Sequence, residues 1–163
     1  MGYSRPISAA LISVLLIYAA ATQAIAADQS ISVTTSVEQT RTIEPAAIEK
    51  LPPVEQKVSF LTGHGPEQAT YSGALLWSVI DGAEMLRGDR RARLRRTVWV
   101  TGRDGYTVVL ALAEIDPEFE GKQVLLAYRR DGKPIEGNSL RLVVPGDRYG
   151  GRSVRDVVRI DIH

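Results

Sequence analysis

The chain has 163 residues, with 20 lysines and arginines against 19 acids, two histidines and no cysteine. A near-neutral balance argues against a general nucleic-acid or anionic-membrane binder. The missing thiol excludes disulfide staples, thiolate metal ligands and a cysteine nucleophile, and His64 and His163 cannot form a zinc site of the usual spacing.

The N-terminus places Arg5 before the apolar run Ile7–Ala21, followed by Ala24-Ile25-Ala26. This pattern reads as a secretory signal peptide, residues 1–26, because the run is short of the roughly 20 residues a membrane helix needs and small residues follow it. The expectation is a periplasmic or secreted protein whose domain spans residues 27–163, with no membrane span after cleavage. The signal has no arginine pair, which points to the general route rather than the twin-arginine route.

Ile31, Val33 and Thr35 alternate with polar residues and predict a first strand or strand pair. Glu44-Pro45 opens a short helix that Pro52-Pro53 stops. "VEQKVSFL", residues 54–61, alternates as a half-buried strand, and "TGHGPEQ" reads as the loop after it. In "YSGALLWSVIDGAEM" the helical spacing of Leu75, Leu76, Val79 and Ile80 predicts a helix, capped by Ser72 and stopping near Gly82. "GDRRARLRR", residues 88–96, reads as a solvated turn or short helix, with an anion or acidic-partner patch as the alternative.

Asp104-Gly105 and Asp131-Gly132 each sit where a tight hairpin turn is needed, between strand-like runs. "LRLVV" and "VVRIDI" supply the last strands, with Val158, Ile160 and Ile162 expected on one face. Strands outnumber short helices, which predicts an α+β fold: one compact domain with a mixed, mainly antiparallel sheet.

The stretch "VVPGDRYGGRSVR", residues 143–155, concentrates glycine and arginine after an apolar run. Gly146, Gly151, Arg152 and Ser153 partly match a phosphate loop, but arginine replaces its lysine and the residues after Ser153 read as strand rather than long helix. What remains is an oxyanion nest of backbone N–H groups at Gly150 and Gly151, with Arg148, Arg152 and Arg155 nearby. Its alternative is a turn whose arginines face solvent or pair with Asp147 and Asp156. "GHGPEQ" is not a dinucleotide fingerprint, and neither Ser72 nor Ser153 lies in G-x-S-x-G, so no catalytic residue is assigned. His64 reads as a loop histidine, Trp77 and Trp99 as core or rim residues. Tyr106 either points at the mouth of the glycine turn or covers the sheet.

In order, "TIEPAAIEKLP", "YSGALLWSVI", "VTGRDGYTVVLALAEI", "LLAYRRDGKPI" and "LRLVVPGDRYGGRSVRDVVRIDI" resemble the oxidoreductase molybdopterin-binding domain, the catalytic-domain fold of sulfite oxidase, from about Ile31 to Ile162. The resemblance implies that Arg141, Gly151, Arg152, Ser153 and Arg155 face the cofactor, molybdopterin. The family's enzymes anchor molybdenum through a cysteine in the interval that here reads "TGHGPEQATY" and holds none, so molybdenum is not expected. The reading is therefore a non-catalytic module for an anionic ligand or a periplasmic protein partner. Its alternatives are a molybdopterin-dependent oxidoreductase, or subunit of one, that binds the cofactor without a thiolate, and a structural module whose glycine turn only closes the sheet.

Overall fold

The computed structural model describes residues 29–35, 39–83, 86 and 89–163. The expected signal peptide lies outside them. Strand β1 (Ile31–Thr35) pairs antiparallel with β2 (Thr40–Ile43), and helix α1 (Pro45–Ile48) follows, with proline at its start. β3 (Val54–Thr62) and β4 (Gly65–Leu75) form a long hairpin that leads into α2 (Leu76–Gly82). The run of arginines holds the one-turn helix α3 (Arg90–Arg93), capped where Asp89 Oδ1 accepts from the Ala92 N–H at 2.7 Å. Then come β5 (Thr97–Gly102), β6 (Thr107–Ala111), α4 (Leu112–Ile115), β7 (Leu125–Arg130), the two-residue β8 (Lys133–Pro134), β9 (Arg141–Val143) and β10 (Val157–Ile162).

The strands form two sheets, ordered β2-β1-β10-β5-β6 and β3-β4-β7-β8, with β9 also on β7. Only β1 and β10 run parallel among these pairs, so the fold is α+β with a mixed, mainly antiparallel arrangement. The main core packs the inner face of the first sheet (Val33, Val100, Ile160) against α2 (Leu76, Ile80) and one face of the second sheet (Leu126, Leu142). The other face of the second sheet buries Phe60, Tyr71, Leu125 and Val143.

Local sequence expectations fail at three places, each for a packing reason. "TGHGPEQ" is not a loop: the chain reverses at Gly63-His64, where Thr62 Oγ1 donates to the Gly65 carbonyl at 2.8 Å and accepts from the His64 N–H at 3.1 Å. β4 then continues through Leu75, so Ser72 lies mid-strand and caps nothing. The β4–β7 pairing requires Gly73, because a Cβ there would stand 2.2 Å from the Leu126 carbonyl oxygen. At β10 the register shifts between Val157 and Arg159, and Val157 joins Ile160 and Ile162 in the core in place of Val158. Such a bulge swaps the face a side chain takes.

Both Asp-Gly stretches turn the chain, with different geometry. Asp131 (φ 50) and Gly132 (φ 76) form the tight two-residue turn between Arg130 and Lys133. At Asp104-Gly105 the loop is longer: only Gly105 takes a positive φ (84), Asp104 Oδ1 accepts from the Tyr106 N–H at 3.0 Å, and the Gly102 N–H donates to the Tyr106 carbonyl.

Candidate ligand site

Two cavities, of about 610 and 800 Å³, share Arg141 and Arg155 as part of their walls. The smaller is bounded by the end of β3 (Phe60, Thr62), Glu67 on β4, Tyr106 beyond β5, and the Tyr149–Gly151 turn. The larger opens beside the β7–β8 hairpin, with Tyr71, Arg130 and Lys133 in its wall.

Arg141 is the best-fixed cation of the site. It is 7% exposed. Its Nε donates to Ser153 Oγ at 2.8 Å and its Nη1 to Glu67 Oε1 at 3.4 Å, while Ser153 Oγ donates to the Leu142 carbonyl at 3.1 Å. Its guanidinium also stands 5.2 Å from the centre of the Tyr71 ring and 5.9 Å from that of Phe60. Burial, opposed by the attraction of Tyr71 and Glu67, pulls the Arg141 pKa down from its usual value. Glu67 also accepts from the Tyr71 hydroxyl at 3.0 Å and pairs with Arg130 at 3.3 Å. Burial pushes the Tyr71 phenol up, with Arg141 opposing.

The remaining sequence-predicted residues divide between wall and scaffold. Gly150 packs against Phe60, whose ring would have to shift to clear a Cβ at 2.8 Å. Gly151 has no such neighbour within 4 Å; it lines the smaller cavity, and its carbonyl accepts from the Tyr106 hydroxyl at 2.7 Å. Tyr106 therefore does point at the glycine turn. Arg155 lines both cavities, is exposed, and makes no ion pair or hydrogen bond among the described residues. Its backbone is held close to β5, where a Cβ on Gly102 would stand 2.6 Å from the Arg155 carbonyl oxygen.

Arg152 lines neither cavity. Its Nη2 and Nε grip Asp147 at 2.6 and 2.9 Å, and its Nη1 reaches Glu114 Oε1 at 3.1 Å. The hydrogen bonds to Asp147, then Glu114, raise its pKa. The partner Asp147 is the one the solvated-turn alternative named. In the arginine run, Arg93 pairs with Asp116 and Glu118, and Arg90 with Glu118, which binds α3 to the loop after α4.

Sequence reading missed Glu67, Tyr71 and Phe60. Glu67, Ala69 and Tyr71 follow the period of two that puts them on one face of β4, a signal hidden by reading the segment as loop and helix.

The model of the oxidoreductase molybdopterin-binding domain matches residues 18–163. The chain belongs to that family. Among solved structures, the molybdopterin-binding-domain chain resembles the sulfane dehydrogenase SoxCD from Paracoccus pantotrophus, with a TM-score of 0.66 at 15% identity over 83% of this chain. The likeness shows the fold, and the matched region is 39% of that chain. No curated protein matches.

The donor set separates the cofactor's two halves. The interval in which family enzymes carry the ligand cysteine presents Thr62, Gly63 and Glu67 to the smaller cavity, and the chain has no cysteine. The Thr62 hydroxyl and the Glu67 carboxylate are engaged as described, and no group of three or more metal-ligating side chains occurs among the described residues. This set does not fit molybdenum, which takes a soft thiolate. Arg155 and the buried Arg141 stand with Glu67 and Asp104 in the smaller cavity's wall, and with the room left beside Gly151 these two cations suit an anionic group such as the pterin phosphate.

Proposed function

We propose that this member of the family is a binding module for an anionic ligand rather than an oxo-transfer enzyme, and that it works after export. The observation that carries the reading is the contrast between two sets of side chains at one cavity: the donors of the cysteine interval are absent or engaged, whereas Arg155 stands unpaired beside a fixed Arg141. Arg155 makes no ion pair with Glu67 or Asp104, the acids that share the smaller cavity's wall, which keeps its guanidinium available to an anionic ligand.

Calorimetry with inorganic phosphate and with a free pterin tests the reading. The expected result is saturable binding that Arg155→Ala weakens and Arg152→Ala leaves nearly unchanged. Equal affinity of wild type and Arg155→Ala for both probes would overturn it.

A further inference from the structure

Exposed sheet edges are templates for pairing, and proteins blunt them with charges, proline or short length. The outer strands of this protein obey that rule with one exception. β2 carries Arg41; β3 alternates Glu55 and Lys57 outward; β8 is a two-residue strand ending in Pro134; and β9 has its Leu142 N–H bonded to the Val154 carbonyl. β6 reads Thr107-Val108-Val109-Leu110-Ala111, with no charge and no proline, and pairs only with β5 among the described residues.

The register says which backbone groups are free. The Gly102 N–H donates to the Tyr106 carbonyl, so the alternation of an antiparallel ladder turns Val108 and Leu110 toward β5 and Thr107, Val109 and Ala111 away from it. The Ala111 N–H is taken by Glu114 Oε2 at 3.1 Å, while no bond takes the N–H of Thr107 or Val109 among the described residues. On the outer face Val109 sits opposite Trp99, and the two are 44% and 42% exposed.

We propose that β6 is a homodimer interface, in which two copies of this chain pair their β6 strands antiparallel about Val109. The charge pattern favours a second copy as the occupant. Pairing antiparallel about Val109 sets that residue against its own copy and Thr107 against Ala111, so the uncharged β6 meets no charge in its copy, whereas nothing on this edge matches a charged partner. The pairing joins the two first sheets into one and lines up Trp99, Val109 and their counterparts as a single apolar row on its face. This interface is independent of what the cavities bind.

Sedimentation equilibrium of the purified protein reads the association directly. Wild type is expected to be a reversible dimer, and Val109→Lys and Val109→Pro to weaken it at least about tenfold, by placing like charges across the axis or removing the outward N–H. Circular-dichroism melting should show both variants folded. Because the chain has no cysteine, Val109→Cys introduces a single thiol. Paired residues about 5.5 Å apart at Cα suit a disulfide, so this variant is expected to form a covalent dimer on mild oxidation even if the other two fail to fold. A wild type that stays monomeric at high protein concentration, a dimer equally tight in folded Lys and Pro variants, or a Val109→Cys protein that does not cross-link would each overturn the proposal.

Discussion

Gly150 lies so close to Phe60 that a Cβ on it would stand 2.8 Å from the ring, whereas one on the adjacent Gly151 would meet nothing within 4 Å. The two glycines therefore do different work: the first lets the turn pack against β3, the second leaves room at the cavity. Gly150→Ala should destabilise the fold by about 1–3 kcal/mol, the range for overpacking. Gly151→Ala should leave the unfolding midpoint within experimental error while weakening phosphate or pterin binding. Chemical denaturation and calorimetry on both variants check the pair of outcomes.

The ion pairs of Arg152 tie the glycine turn to α4. Arg152→Ala is expected to lose about 1–2 kcal/mol of stability, on the scale of lost hydrogen bonds to partly buried charged groups. Anion affinity should change by less than twofold, a margin small against the tenfold steps of affinity arithmetic. Arg155→Ala is expected to do the reverse, with stability unchanged and binding lost. Urea melts and phosphate titrations on the two variants separate strut from contact.

Removing Arg141 takes one partner from Glu67, which keeps Arg130 and the Tyr71 hydroxyl. Arg141→Ala should therefore cost about 1.5–3 kcal/mol, the scale of lost hydrogen bonds to charged groups. Glu67→Gln removes the carboxylate that Arg141 serves, so the double variant should be less destabilised than the sum of the singles. A double-mutant cycle by denaturant unfolding measures the coupling, and strict additivity would mean the pair is not a unit.

Stability should fall in alkali through Tyr71. Its phenol titrates higher in the folded protein than in the unfolded chain, chiefly because it is buried. The folded state thus holds a proton that the unfolded chain releases, and this contribution is complete below the usual tyrosine pKa of about 10 and lost as pH rises through the folded value. Melting temperatures taken across that window should drop more steeply for wild type than for Tyr71→Phe.

Much of the fold was legible because its signals are local. The Asp131-Gly132 turn, the alternation in β1 and β3, and the proline that opens α1 each act over a few residues. β4 was misread because Leu75, Leu76, Val79 and Ile80 have helical spacing; what extends the strand to Leu75 is the approach of β7, fixed at Gly73 by pairing with Ala127. The bulge that selects Val157 over Val158 likewise depends on β5. At the candidate site, Gly151 and Arg155 are legible in the glycine-rich segment 143–155, while Arg141 and Ser153 come from the family resemblance; all four line the cavities. Glu67 was not legible, because it meets Arg141 across 74 residues of sequence. The role of Arg152 was hidden for the same reason, since one of its partners, Glu114, lies 38 residues away.

This domain keeps the family's fold, and the proposal is that it binds an anion without the metal chemistry. Elemental analysis combined with pterin fluorescence, on protein purified from its native source, tests it most directly. The expected result is no molybdenum above background, with or without a pterin. Stoichiometric molybdenum together with pterin would contradict it and make this chain an enzyme whose metal is held without a thiolate from the protein.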